Sequence, residues 1–191
     1  LPCKVTILLE GEEEIGSRNL PAFLEANAER FRADVALVCD TTMWDRETPA
    51  ITTMLRGLAG EEVTVKAASR DLHSGFYGGA AANPITLLAR ALGEMHGPDG
   101  HGRIPGFSDG VPEMPPEVRE QWKALPFDAE HFLGEVGLSV PAGERERSCL
   151  EMTWSRPTAE VNGIHGGYTG PGFKTAIPAE ASAQRAFRPV G

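Results

Sequence analysis

The chain lacks the features that mark several large classes of protein. It has three cysteines, Cys3, Cys39 and Cys149, widely spaced and with no CxxC pair. An odd, scattered set argues against a disulfide framework and for reduced thiols in a cytoplasmic setting. Positive charge is scarce, with 18 Lys and Arg against 27 Asp and Glu, a formal net charge of −9 and no basic cluster. Nucleic-acid binders need a basic patch, so nucleic acid is not an expected partner. No apolar run approaches the ~20 residues of a membrane span, no signal peptide opens the chain, and no membrane association is expected. There is no GxSxG elbow and no Cys–His pair with local context, so nucleophilic hydrolysis has little support, and neither an HExxH spacing nor a P-loop is present. No initiator Met precedes "LPCKVTILLE", which reads as the lead-in to an interior strand and predicts that part of a longer protein lies upstream. What remains is ordinary: 41% apolar and 24% charged residues over a length of 191, enough for a real core.

Two textures divide the chain. In the first, Cys3–Leu9 ("CKVTILL") and Ala33–Asp40 ("ADVALVCD") have the density of buried strands. Between them Ser17 can cap a helix reaching about Phe31, with Leu20, Phe23, Leu24 and Ala28 on one stripe. A strand–helix–strand unit of this length predicts a parallel α/β sheet, too small to stand alone. From residue 49 the pattern changes. Ile51–Arg56 and Glu62–Ala68 alternate and read as an antiparallel hairpin with one wet face. "NPITLLARALGEMHG" predicts a helix capped by Asn83 with Pro84 at its first position. Residues 97–115 read as a loop, Pro116–Leu125 and Ala129–Val136 as short helices, and "TAEVNGI" and "TAIPAEASAQRAF" as strands joined by "HGGYTGPG". The expected organisation is part of a parallel α/β domain over residues 1–48 and an α+β domain with an antiparallel sheet over 49–191.

Three places could carry chemistry. Glu13 and Glu14 follow the first expected strand and Asp40 ends the second, where α/β folds place ligands. Such carboxylates suit a divalent cation and a general base; acids favouring a helix N-terminus through its dipole are the commoner explanation. In "SRDLHSGFYGG", His73 sits among small residues as an exposed loop histidine, and Asp71 either orients its ring or makes an Asx-turn. In "GIHGGYTGPGFKT" five glycines in thirteen residues mean close backbone approach or positive φ, in a substrate-facing loop or a structural turn. His96, His101 and His131 make no metal motif and are expected at the surface.

Taken in order, "LLEGEEEIGS", "CDTTMW", "RDLHSGFYGG", "GIHGGYTGPGFKTAIPAE" and the closing "FR" resemble the M20 metallopeptidases, within them the carnosinase-like dipeptidases. The resemblance implies a parallel-sheet zinc-peptidase catalytic domain followed by a lid and dimerisation domain, and metal-assisted hydrolysis of a dipeptide. It implies two divalent ions, Zn²⁺ or Mn²⁺, with Glu13 as general base and Glu14 and Asp40 as ligands. His73 matches a histidine that crosses a homodimer to stabilise the partner site's oxyanion. Thr175 and Arg188 match substrate contacts, Arg188 to the substrate carboxylate, and His165, in a loop that varies among the relatives, is a further contact candidate. Relatives also carry an upstream HxDxxP-like segment and a downstream His, both missing here, and the lid should lack its second helix and last strand. The expectation is therefore an internal piece, inactive alone. Two other readings stay open: a non-catalytic lid and dimerisation module, and an N-acyl amino acid deacylase of the same family.

Overall fold

The computed structural model describes residues 3–40 and 43–190, in two compact units, Leu1–Thr52 and Thr53–Gly191.

The first unit is built from short helical pieces. A 3-10 turn, Glu13–Ile15, ends at Gly16, whose φ of 87° lets its N–H reach the Glu13 carbonyl at 2.9 Å. Two helices follow, α1 (Leu20–Ala26) and α2 (Ala28–Phe31), with the Phe23 and Phe31 rings 5.7 Å apart. The single helix expected from Ser17 is corrected on two counts. Ser17 sits at φ 48°, outside the helical region, so the helix begins at Leu20. It breaks at Asn27, whose side-chain amide donates to the Phe23 carbonyl at 2.8 Å and so satisfies an acceptor from outside the ladder. The two expected strands are corrected as well. Neither Cys3–Leu9 nor Ala33–Asp40 belongs to a ladder, and the parallel sheet is not formed among the described residues. Ile7 is 76% exposed, Leu9 89% and Leu37 84%. Strand-like composition makes a strand only when a neighbour takes its N–H and C=O groups, and here none does.

In the second unit, β1 (Ala59–Lys66), β5 (Glu180–Arg188) and β3 (Thr158–Gly166) form an antiparallel sheet in the order β1-β5-β3. The expected hairpin is thereby corrected. Residues 51–58 form no strand, and β1 pairs with β5, Val63 opposite Ala183 and Val65 opposite Ala181. Helix α4 (Pro84–Gly93) lies on one face of this sheet. Its Leu88, 1% exposed, packs with Ala181 and Ala183, and Val63, Val65 and Leu92 close around them. The opposite face carries Glu62, Thr64 and Gln184 into solvent, the wet face that the alternation predicts. Asn83 caps α4 as expected, its Oδ1 accepting from the Ile85 N–H at 3.0 Å.

A second, two-stranded sheet pairs β2 (Leu72–His73) with β4 (Ala176–Ile177), and α3 (Ser74–Tyr77) follows β2. The run expected as one strand from Thr175 to Phe187 divides at Pro178, which has no N–H to offer a ladder. The long segment between α4 and β3 holds α5 (Pro116–Lys123), α6 (Ala129–Gly134) and α7 (Cys149–Trp154). Trp122 meets Trp154 edge-on at 5.0 Å. Beside them the buried Glu144 takes the Arg156 Nε on both oxygens, at 2.8 and 3.0 Å. His101, expected at the surface, is half-buried with Asp99 at 3.6 Å, Glu144 at 3.8 Å and Glu146 at 3.9 Å.

Candidate functional site

Of the residues singled out in the sequence, the structure brings His73 and Thr175 together. The β2–β4 ladder sets Leu72 opposite Ile177 and His73 opposite Ala176. Thr175 precedes Ala176, and its Oγ1 lies 3.3 Å from the His73 Nε2. The Thr175 carbonyl accepts from the Ser74 N–H at 2.9 Å, and the His73 Nδ1 accepts from the Gly75 N–H at 2.9 Å. Since Nδ1 is an acceptor, a neutral ring carries its proton on Nε2 and donates it to the threonine hydroxyl.

His73 and Thr175 line an open depression of about 470 Å³ with Asp71, Leu72, Phe173, Lys174 and Ala176. Aromatics stand around it. Phe173 is 89% exposed, and Phe76, 83% exposed, holds its ring 5.1 Å from that of His73. The glycine-rich loop is braced from within: the Tyr168 hydroxyl donates to the Pro171 carbonyl at 2.7 Å, and the Lys174 ammonium sits 4.2 Å above the Tyr168 ring. Asp71 makes neither expected contact. Its Oδ1 accepts from the Ala179 N–H at 2.9 Å and clips the approach to β2 onto the turn before β5.

The remaining candidates are dispersed. His165 is exposed on β3 opposite Ser182, whereas Arg188 ends β5 opposite Thr158. At about 3.4 Å per residue, the six steps from Ser182 to Arg188 put them ~20 Å apart along the sheet. Arg188 lies near Arg56, whose guanidinium is held below the usual arginine range by burial and then by the Arg188 charge. Glu13 and Glu14 are exposed on the 3-10 turn, and Asp40 is exposed at the end of the described segment. Glu12, the third acid, binds Asn19, taking its side-chain amide at 2.7 Å and its N–H at 3.2 Å. Carboxylate oxygens suit a divalent ion, but among the described residues no three His, Cys, Asp or Glu side chains are placed to hold one. A metal centre is therefore not supplied by these residues alone. Gly75 was not foreseen, and the available signal was its place two residues after His73, where a backbone N–H can reach back to the ring.

The antiparallel sheet, helix α4 packed on one of its faces and the His73–Thr175 corner make an α+β domain. The chain belongs to the M20 peptidase dimerisation domain family, whose model matches residues 53–191. Among individual proteins, it is 32% identical over 99% of its length to the Cys-Gly metallodipeptidase dug1 of Schizosaccharomyces pombe, covering 40% of that protein. It superposes on human carnosine dipeptidase 1 with a TM-score of 0.78 and 31% identity, over 95% of this chain and 38% of that one. The M20 family metallo-carboxypeptidase Sso-CP2 of Sulfolobus solfataricus gives a TM-score of 0.76 and 33% identity, over 95% and 41%. The chain thus spans about two fifths of the length of the relatives it matches.

Proposed function

We propose that this chain is the lid and dimerisation part of a metal-dependent dipeptidase that hydrolyses the peptide bond of small peptides as a homodimer in the cytoplasm. The observation that carries the reading is the His73–Thr175 pair, an oriented imidazole N–H donor at an open, aromatic-rimmed depression within the segment matched by the peptidase dimerisation family. An imidazole N–H aimed outward suits an oxyanion that forms only in the transition state. On this reading His73 serves the partner protomer's site. Thr175 and Arg188 contact substrate, Arg188 by pairing with its carboxylate.

Glu13 is the general base, taking a proton from the attacking water and returning it to the leaving amine. Glu14 and Asp40 are ligands to two Zn²⁺ or Mn²⁺ ions, whose remaining ligands come from outside the described residues. Bound, those ions supply Lewis acidity and an acidified water. The first unit is then a piece of the catalytic α/β domain, which accounts for the bare Ile7, Leu9 and Leu37 as strand residues awaiting neighbours.

The test is an assay of the full-length protein with added Zn²⁺ or Mn²⁺ on Cys-Gly, β-Ala-His, longer peptides and N-acyl amino acids. Dipeptide cleavage that chelator abolishes and Glu13→Gln reduces by ~10³-fold or more is the expected result. Chelator-resistant cleavage, or a preference for N-acyl amino acids, overturns the dipeptidase reading.

A further inference from the structure

His73 occupies two structural roles at once. It is the N-cap residue of α3, and its ring, rather than a Ser, Thr, Asp or Asn side chain, accepts the N–H of Gly75. A bond from Nδ1 to a backbone N–H two residues on holds the ring in one orientation and points Nε2 away from the helix. There Nε2 meets the Thr175 hydroxyl at 3.3 Å, while the next N–H in the chain, that of Ser74, binds the Thr175 carbonyl at 2.9 Å. The ring is thus fastened on both sides, by the cap behind it and by Thr175 in front.

A side chain on the residue behind the ring would push the ring aside. A Cβ built on Gly75 would stand 2.7 Å from the His73 Cε1 and 2.9 Å from its Nδ1, and it meets no other atom within contact distance. An alanine there displaces the imidazole and leaves the surrounding backbone in place.

We infer that Gly75 is a positioning residue for the reaction: its N–H and its missing side chain lock His73 as the Nε2–H tautomer, aimed outward, with the Thr175 hydroxyl holding the place that the oxyanion takes. This rests on the reading of His73 as the oxyanion donor, yet its first half is a property of the chain alone. A donor already in the right tautomer and orientation needs no reorganisation when charge develops on the substrate. The Thr175 hydroxyl accepts from Nε2 in the resting state, so the donor is not left unsatisfied while substrate is absent. Exchange of one oxygen acceptor for another, the second of them charged, strengthens the bond in the transition state.

The chain labelled with ¹⁵N-histidine, in mildly alkaline buffer, is the direct test, with the His73 signals assigned by their loss in His73→Gln. The expected spectrum shows a protonated, pyrrole-type Nε2 and an unprotonated, pyridine-type Nδ1. A protonated Nδ1, or two nitrogens averaged between the types, overturns the lock whatever the enzyme does. Gly75→Ala should convert the His73 signals to the averaged pattern while the melting temperature moves by no more than about 4 °C, since only the cap contact is lost.

In the full-length enzyme, Gly75→Ala should lower kcat by about tenfold to a hundredfold with KM within about threefold, the pattern of an interaction made in the transition state. A fall in melting temperature with kcat per folded molecule unchanged would assign Gly75 a structural role and sink the inference. If the locked spectrum is seen and His73→Gln leaves kcat intact, the functional reading fails and the lock stands.

Discussion

The Oδ1 of Asp71 accepts the backbone N–H of Ala179 at 2.9 Å, joining two residues 108 positions apart. The bond stands just outside the two-residue ladder that faces His73 with Ala176, and a ladder so short has little register strength of its own. Asp71→Ala should cost about 1 kcal/mol, the usual net value of such a bond, whereas Asp71→Asn keeps an acceptor oxygen and should cost less than half of that. Urea unfolding measures both. Hydrogen exchange at the Ser74 amide, which donates to the Thr175 carbonyl, should accelerate in Asp71→Ala and stay slow in Asp71→Asn.

The Glu144–Arg156 pair is the buried ion pair of the second unit, with both side chains about nine-tenths covered and Arg147 Nε 3.5 Å from the same carboxylate. Removing Arg156 takes the two short hydrogen bonds from a buried carboxylate and leaves it only longer contacts, among them Arg147 at 3.5 Å. Arg156→Met alone should therefore destabilise by about 3–5 kcal/mol, and Glu144→Leu with Arg156→Met should recover most of the loss. A double mutant no better than the single in urea unfolding would place the pair's role elsewhere.

Local signals were legible where the chain carries its own punctuation. Asn83 followed by Pro84 marks the start of α4, and the alternation of Val63, Thr64 and Val65 announces one buried and one wet face. The partner of β1 was not legible, because Ala183 and Ala181 arrive far along the chain and the nearer alternating run, Ile51–Arg56, offers a false hairpin. Cys3–Leu9 failed for a different reason. Its composition favours burial against a sheet, and composition does not tell whether a neighbouring strand takes its N–H and C=O groups. At the site, "DLHSG" and "KTAIP" led to His73 and Thr175 through resemblance, and the residues alone left His73 an ordinary loop histidine. The spacing put the Gly75 N–H within reach of the ring, but that it holds the ring depends on α3 being capped by an imidazole.

Acid should loosen the second unit through Glu151. Burial opposes its charge, but the N–H and hydroxyl of Ser148, and after them Arg119, outweigh burial and hold the carboxyl below its ordinary value of 4.5. A depressed folded-state value means that the contribution is complete above the unfolded value and is lost as pH falls through the folded one. Stability should therefore decline on acidification below about pH 4.5, and Glu151→Gln should show a shallower decline. Urea midpoints between about pH 6 and pH 3.5 check this, and equal acid slopes for the two proteins would refute it.

Helix α4 gives a graded pair of substitutions that separates capping from packing. The Asn83 Oδ1 takes the Ile85 N–H at 3.0 Å at the exposed start of the helix, so Asn83→Ala should cost about 1 kcal/mol, with Asn83→Ser close to neutral. Leu88 is 1% exposed and packs against Ala181 and Ala183, whose small side chains cannot move to fill a space. Leu88→Ala should accordingly leave a cavity and cost about 2–5 kcal/mol. The first change alters the end of the helix and the second the face that holds it to β1 and β5. Exchange protection at Val63 and Val65 in β1 should fall sharply in Leu88→Ala and hardly at all in Asn83→Ala. Equal loss in both would mean that the helix, rather than the sheet beneath it, sets the stability of the unit.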